Sequence, residues 1–406
     1  MIPPDRDLLL RLLDLPTAGP LETTDEVQLW EAMRLYAAAA TEIGFDIAYF
    51  DSPDPSLLDR PGVPAVVRHV EPEFLFCQPS LVLRIGPASP AVMFNVHLDT
   101  VAPFESAWFD GTAFVGRGAI DAKGPAVALL AGLRAAIAAD PAVGRDAGVI
   151  VQAVSGEEGG AMGTFGTRPL VEAGFHGELN IFCEPTGLRY LPRCSASMTA
   201  CVRVDGDDAI DDEAHRGHNA SVLLGFLAQH LALDLAPRGQ VCVAGLHTGT
   251  MHNRVYGQGE LLLNIPYDSQ ESAAKMTAAL ESGLSTGLGE FRRRFQDSPG
   301  FHRTAMEAAE ITGLHWRKRD LPVLPRQEIP LLDGLVPRWP DDEPGFTCDA
   351  LWLADVPGTR TAVLGPGSLG ANNAHSAGEY ADVDELDQFS ALVRDIVVRF
   401  SRSGGA

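Results

Sequence analysis

The chain has 406 residues, 46% of them hydrophobic and 21% charged, so it can bury a sizeable core in one large domain or two moderate ones. Lysine and arginine number 31 against 54 aspartate and glutamate residues, and a net charge of −23 disfavours nucleic acid and anionic membrane surfaces as partners. No uninterrupted apolar stretch reaches about 18 residues, and residues 1–19 lack a basic region followed by an apolar one. We therefore expect a cytoplasmic protein without nucleic-acid or membrane partners.

The first part of the sequence alternates between helix-like and strand-like segments. In chain order, the predicted elements are an amphipathic segment at 8–15, a helix at 24–44, strands at 80–86 and 91–99, a helix at 123–140 and a strand at 147–158. This alternation predicts an α/β domain with buried strands and crossover helices. Because such sheets collect functional groups in the loops beyond the carboxyl ends of their strands, polar residues directly after these runs matter most.

Near residue 195 the pattern changes to that of a small antiparallel α+β unit. Its predicted elements are a helix at 219–235, strand-like runs at 241–249 and 259–267, a helix beginning near Ser269 and a strand at 309–320. We therefore assign 195–321 to an inserted domain. Residues 1–194 and 322–406 form the domain that it interrupts.

A histidine and two aspartates lie at the ends of predicted elements in the first part of the sequence. His97 and Asp99 lie two apart after an apolar run, so both can face one side, and Asp99 can fix the tautomer of His97. An isolated pair of this kind is more typical of a satisfied polar cluster than of a metal site. Asp121 precedes a predicted helix, where an N-cap turn is the common interpretation. The functional alternative gives each of two metal ions one oxygen of its carboxylate.

Further carboxylates and a second histidine follow later strand-like runs. Glu157 and Glu158 are adjacent at a strand end, where they repel each other unless a cation or separate partners take up their charge. One can bind a metal while the other faces a water molecule, although an exposed pair in a loop is more often structural. Glu184 precedes a Pro-containing turn, and His375 lies in a Gly-rich loop. Together, the two histidines and these carboxylates supply the mixed N/O donors that divalent zinc accepts.

Six ordered motifs resemble the M20 metallopeptidases, which are co-catalytic zinc amidases. The motifs are HLDT (97–100), GRGAIDAKG (116–124), SGEEGG (155–160), CEPTG (183–187), GHNA (217–220) and GPGSLGANNAHSAGEY (365–380). The family includes glutamate carboxypeptidase, succinyl-diaminopimelate desuccinylase, acetylornithine deacetylase and aminoacylase. The resemblance implies an α/β zinc-binding catalytic domain with a mixed central sheet flanked by helices, interrupted by a smaller α+β lid that also forms the dimer.

The resemblance also implies a ligand set for two zinc ions per chain. Asp121 corresponds to the bridging ligand. Glu158 and His375 complete one site, and His97 and Glu184 complete the other. Cobalt or manganese can replace zinc at N/O sites.

Two more acidic residues receive roles from the resemblance. Asp99 orients His97, and Glu157 is the general base that takes a proton from the metal-bridging water and later delivers it to the leaving nitrogen. Glutamate at the position of Glu184 is typical of carboxypeptidase and deacylase members rather than aminopeptidases.

The lid departs from the family pattern at the histidine that stabilises the developing oxyanion from the partner subunit. Here Ala214-His215 runs almost directly into the GHNA motif, without the usual proline. His215 is our first candidate for the catalytic role, followed by His218 and His252.

The expected substrate contacts of the lid are also altered. Asn253 and Arg254 stand in the segment where the family has Asn-x-(Val/Ile)-Pro, so Asn253 retains the amide donor. Pro266 ends a strand that usually carries an arginine, which removes a positive charge from the site. Arg254 is one candidate replacement, and the basic cluster at 317–319 is another, although the latter is more typical of a solvated surface.

The sequence thus predicts a dizinc hydrolase that cleaves an amide bond of an N-acyl amino acid or small peptide, with Glu157 as base and a homodimer formed through the lid. The alternatives are a diverged, non-catalytic binding or structural protein on the same scaffold, and an amide hydrolase of specialised metabolism with an unusual substrate.

Overall fold

The computed structural model describes residues 1–60, 62–68 and 71–404. Its helices are α1 (Pro3–Leu13), α2 (Leu29–Glu42), α3 (Ala65–Arg68), α4 (Gly124–Ala139), α5 (Thr167–Glu172), α6 (Ala220–Leu235), α7 (Gln270–Phe295), α8 (His302–Ile311) and α9 (Val383–Ser403). Its strands are β1 (Asp46–Asp51), β2 (Ser80–Ile85), β3 (Ala91–His97), β4 (Trp108–Phe109), β5 (Ala113–Val115), β6 (Gly148–Val154), β7 (Leu179–Phe182), β8 (Ala196–Asp205), β9 (Ala209–Ile210), β10 (Cys242–His247), β11 (Arg254–Val255), β12 (Gln258–Tyr267), β13 (Thr312–Lys318), β14 (Arg360–Val363) and β15 (Tyr380–Asp382).

The chain divides into two compact units, Met1–Cys194 with Leu324–Ala406, and Ser195–Val323. The first division coincides with the predicted boundary at 195. The second lies two residues after the predicted end of the insertion at 321. The second unit is therefore one continuous stretch of sequence, inserted between the two segments that form the first unit.

A six-stranded mixed sheet forms the centre of the first unit, in the order β1-β2-β6-β3-β7-β14. β3 is parallel to both β6 and β7, and β14 is parallel to β7, whereas β1 and β2 pair antiparallel. The carboxyl ends of β3, β6, β7 and β14 consequently lie along one edge. The mixed α/β architecture that the sequence predicts is confirmed.

Helices cover this sheet with apolar surface. β3 and β6 are buried along their whole length, as expected for central strands enclosed on both faces. α4 packs closely on α9, where the absence of a side chain at Gly132 lets the Ser390 carbonyl approach. Among the described residues, Ala119–Ala139 is long and apolar enough to span a membrane by length and composition alone, yet 72% of this window is buried inside the protein, as in a core helix.

The second unit is an antiparallel sheet with helices. Its strand order is β10-β12-β8-β13, and all three neighbouring pairs are antiparallel. The predicted strand at 309–320 was wrong in its first residues, because α8 continues to Ile311 and the strand begins only at Thr312. The Ser269 hydroxyl caps the start of α7, as a residue of this type does at a helix N-terminus.

Candidate metal centre

Two parallel strands, β3 and β7, place the first two donors at one edge of the sheet. His97 is the last residue of β3, and Glu184 follows β7 by two residues. Both residues are buried, with 1% of the surface of His97 and 7% of the surface of Glu184 exposed. His97 Nε2 lies 3.9 Å from Glu184 Oε2, because the register pairs the neighbouring ends of these two strands.

Asp121 reaches the same edge from an irregular turn between β5 and α4. Its backbone is not helical, with φ −126° and ψ 85°. Its Oδ1 lies 2.9 Å from His97 Nε2, and its Oδ2 lies 3.0 Å from His375 Nε2. One carboxylate therefore addresses two separate histidines, one with each oxygen.

The second group of donors surrounds the other oxygen of Asp121. Glu158 follows β6, and its Oε1 lies 3.0 Å from His375 Nε2. His375 lies in the loop between β14 and β15, with a φ of 61° and a half-exposed ring. Within each group, His97–Asp121–Glu184 and Asp121–Glu158–His375, the candidate ligand atoms lie within 4.8 Å of one another. The five predicted ligands are thus brought together, and Asp121 belongs to both groups.

Asp99 contacts this centre in two ways. His97 Nδ1 donates to the main-chain carbonyl of Asp99 at 2.9 Å, which fixes the ring tautomer that leaves Nε2 for a cation. The Asp99 carboxylate is further from the ring, at 3.6 Å from Nδ1. Its Oδ2 instead accepts a 3.0 Å hydrogen bond from the Glu158 backbone amide. Asp99 therefore orients one candidate ligand, His97, and anchors the backbone of another, Glu158.

The electrostatics of the centre favour a cation. Burial raises the pKa of Glu184 to about 8, with the negative charges of Asp121 and Asp349 adding to the effect. Burial also raises the pKa of Glu157, as do the neighbouring carboxylates of Glu184 and Glu158. Burial alone would raise the pKa of Asp121 as well, but the hydrogen bonds from the two histidines outweigh it and lower that pKa. Crowded, buried carboxylates are unfavourable without positive charge, and two imidazoles with three carboxylates suit divalent cations such as zinc.

The predicted lid residues lie in the second unit, in different surroundings. His215, His252 and Asn253 are exposed. Arg254 forms an ion pair with Asp208, and its guanidinium lies 5.6 Å from the centre of the Tyr256 ring.

His218 has a different environment from the other two lid histidines. It is 2% exposed, accepts from the Asp207 amide at Nδ1 over 2.8 Å, and donates from Nε2 to Glu307 over 2.9 Å. Both ring nitrogens are engaged, as in a satisfied core histidine. In the basic cluster, Arg317 pairs with Glu260 at 2.5 Å and Lys318 donates to Ser197 at 2.9 Å.

Sequence analysis missed two buried acids at the centre. Asp349 is fully buried, and its Oδ2 accepts from the Thr167 hydroxyl at 2.5 Å, while that hydroxyl also accepts from the Asn95 amide at 3.0 Å. Burial raises the pKa of Asp349 to about 7. Glu379 is 1% exposed and accepts hydrogen bonds from the turn that carries Asp121. The available signal for Glu379 was its place four residues after His375 in the last motif; Asp349 had none beyond its acidic type.

Comparison with known proteins extends these observations over most of the chain. The profile of peptidase family M20/M25/M40 matches residues 93–399. A protein of Aeropyrum pernix named as a LysW-lysine/LysW-ornithine hydrolase is 29% identical over 60% of this chain and 67% of its own length. Succinyl-diaminopimelate desuccinylase of Halorhodospira halophila is 26% identical over 77% and 84%. The desuccinylase of Gluconobacter oxydans is matched over only 58% of its length.

Solved structures share the fold. An M20 family metallo-carboxypeptidase of Sulfolobus solfataricus superposes with a TM-score of 0.71 at 12% identity, covering 99% of this chain and all of its own. Aminopeptidase PepT of Bacillus cereus gives a TM-score of 0.66 at 14% identity, with 97% of each chain covered. The chain belongs to peptidase family M20/M25/M40 and is a metal-dependent peptidase or amidohydrolase.

Proposed function

We propose that the chain is a dizinc hydrolase that cleaves an amide bond of an N-acyl amino acid or small peptide. The observation that carries this proposal is the Asp121 carboxylate, which directs one oxygen to each of two donor groups. A shared carboxylate of this kind suits a pair of cations better than a single one. The intact donor set does not favour the alternative of a non-catalytic protein.

The five ligands divide between two cations. His97 and Glu184 would hold one, Glu158 and His375 the other, and Asp121 would bridge them. When bound, zinc supplies a Lewis acid that polarises the scissile carbonyl and lowers the pKa of water. Cobalt or manganese suits the same nitrogen and oxygen donors.

Glu157 is the general base of the proposed mechanism. It lies next to the ligand Glu158 but belongs to neither donor group, so its carboxylate stays available for proton transfer. It removes a proton from the attacking water and delivers that proton to the leaving nitrogen, which needs one carboxylate in two protonation states. The Asp99 contact with the Glu158 amide holds the loop that carries both glutamates.

The substrate class is supported by the relatives and by one departure from the family. Two of the relatives reported above are named succinyl-diaminopimelate desuccinylase, and a third is named a LysW-lysine/LysW-ornithine hydrolase. Deacylase or carboxypeptidase chemistry on an acylated amino acid fits these names. Pro266, in β12, occupies the position of the usual arginine, which favours an unusual substrate of specialised metabolism as the second candidate.

His215 remains our candidate for stabilising the oxyanion, and Asn253 and Arg254 for contacting the substrate. His215 is exposed, whereas both ring nitrogens of His218 are engaged, which makes His218 the weaker choice. His252 is exposed like His215 and therefore ranks ahead of His218.

A homodimer through the second unit also belongs to this proposal, as does a cytoplasmic location. β10 forms an edge of the four-stranded sheet, and within the described residues β12 is its single neighbour. Val243 and Leu246 on this strand are about 40% and 41% exposed, respectively. An exposed edge with apolar side chains is suited to pairing with a second copy.

The proposal is tested with Glu157→Gln and a matched control. Glu178→Gln is the control because it makes the same substitution at the far end of β3 from His97, where the Glu178 carboxylate accepts from the Ala91 amide. We expect two zinc ions per chain in the wild type and in both variants. Glu157→Gln should lose about 10²- to 10⁴-fold in kcat against N-acyl amino acids and dipeptides, and the control should lose none. Full activity in Glu157→Gln, or in a wild type stripped of divalent cations, would contradict the mechanism.

A further inference from the structure

Glu379 gathers four hydrogen bonds in a buried position beside the metal centre. Its Oε2 accepts from the Arg117 guanidinium at 2.8 Å and from the Gly118 amide at 3.1 Å. Its Oε1 accepts from the amides of Ile120 and Asp121 at 3.0 and 3.1 Å. Both carboxylate oxygens are thus fully used, each by two donors.

The three backbone amides that donate to Glu379 belong to a turn that offers them no hydrogen-bond acceptor of its own. The turn at 118–121 is not a regular helix, with Gly118 at φ 85° and Asp121 outside the helical region. Buried backbone amides without an acceptor are costly, and an ionised carboxylate is a strong acceptor for several of them. The conformation that presents Asp121 therefore depends on this one side chain.

Glu379 also belongs to the loop that carries the other histidine ligand. It stands four residues after His375, and its own carbonyl accepts from the Gly116 amide at 2.9 Å. The next residue, Tyr380, pairs with Val115 in the small sheet of β15 and β5. Backbone and side chain of Glu379 thus join the Asp121 turn to the His375 loop.

Arg117 makes the buried charge tolerable. Its guanidinium is 2% exposed and is held by Glu379 and by the carbonyl of Pro103, to which Nε donates over 3.2 Å. A buried carboxylate needs such a partner beside the negative charge of Asp121. The pair leaves Asp121 free to direct its own oxygens to His97 and His375.

We propose that Glu379 is a positioning residue that holds the bridging ligand Asp121 and the ligand His375 in the arrangement required by the two cations. This inference rests on the proposed function, since it assigns a role toward the same pair of cations. Glu379 belongs to neither donor group, and its carboxylate oxygens accept from Arg117 and from the backbone of the Asp121 turn. It therefore acts on the cations through the position of Asp121, and its loss should weaken the binding of metal.

The test measures metal affinity directly. Metal-free protein is titrated with Zn²⁺ in competition with a chromophoric chelator, and the visible spectrum is recorded with Co²⁺. In Glu379→Gln an amide group faces two of the four donors, so we expect zinc affinity to fall about 10- to 100-fold and the cobalt bands to shift. Glu178→Gln, which replaces a carboxylate bound to the amide of Ala91, should retain the wild-type affinity and spectrum.

Thermal unfolding of the metal-free variants separates a structural cost from a metal-specific one. A folded Glu379→Gln protein with wild-type zinc affinity and cobalt spectrum overturns the inference, even if its Tm is lower. If Glu379→Gln does not fold, Glu379→Asp is measured instead; it keeps the charge on a shorter stem, and wild-type zinc affinity in this variant overturns the inference equally. A wild type that binds no divalent cation would refute the proposed function itself.

Discussion

Two glycines in the loop after β6 allow the packing of Asp349 to be tested. This loop carries Glu157 and Glu158, and both Gly160 and Gly163 have a positive φ, 76° and 60°. A methyl group at Gly163 would lie 2.3 Å from Asp349 Oδ2. A methyl group at Gly160 would have its nearest neighbour, a methyl of Val66, at 3.8 Å, which is an ordinary contact.

The two alanine variants share the cost of the backbone conformation and differ in the clash of the Gly163 methyl group with Asp349. The left-handed backbone costs an alanine about 1–2 kcal/mol at either position. Overpacking adds about 1–3 kcal/mol at Gly163, because Asp349 is fully buried and bound to Thr167 and so has little room to move. We expect Gly160→Ala to lower the free energy of unfolding by about 1–2 kcal/mol and Gly163→Ala by about 2–5 kcal/mol.

Urea denaturation measures this difference through the midpoint, provided that the m-value stays constant. Because the loop rather than Asp349 has to shift, Gly163→Ala should also lower kcat, whereas Gly160→Ala should leave kcat close to wild type. Equal losses of stability in the two variants would refute the packing of Asp349 against this loop.

Three further predictions follow from helices and from the metal centre. Gly132→Ala should lower the Tm, since its methyl group would lie 2.5 Å from the Ser390 carbonyl, whereas Gly225→Ala in α6 meets nothing within 4 Å and should raise stability by about 0.5–1 kcal/mol in thermal melts. Removal of the cations by a chelator should lower the free energy of unfolding by about 2.7 kcal/mol per site if each cation was present at 100 times its Kd. An unchanged Tm in calorimetry would contradict this. Asp99→Ala deprives the Glu158 amide of its acceptor and should weaken zinc binding about 10- to 100-fold, as measured by chelator competition.

Three of the five candidate ligands were predictable because each lies at the end of a strand that the sequence marks by its apolar run. His97, Glu158 and Glu184 follow β3, β6 and β7, which pair in parallel, so their carboxyl ends meet at one edge. Asp121 and His375 do not follow such strands directly. They were found through motifs of the family, and their place beside the other ligands depends on loop conformations that periodicity does not encode.

The supporting acids were not predictable in the same way. Glu379 acts on the Asp121 amide across 258 residues, and Asp349 acts on Thr167 across 182. Neither contact leaves a local pattern, because a single glutamate before a short strand, or an aspartate before an apolar run, is common on protein surfaces. What distinguishes them is burial, and burial of a lone acid is decided by the partners that the fold brings to it.

The histidines of the second unit also show that a sequence motif does not reveal the contacts of a side chain. His218 stands in a family motif, which makes it attractive by sequence, but Glu307 of α8 and the Asp207 amide occupy both of its ring nitrogens. To contact a substrate, His218 would have to release one buried hydrogen bond at a cost of about 1–3 kcal/mol. His215 has no such cost because it is exposed. Motif position is therefore a poorer guide to the catalytic histidine than the number of ring nitrogens without a hydrogen bond. For His218 that number depends on Glu307, which lies on a helix 89 residues further along the chain.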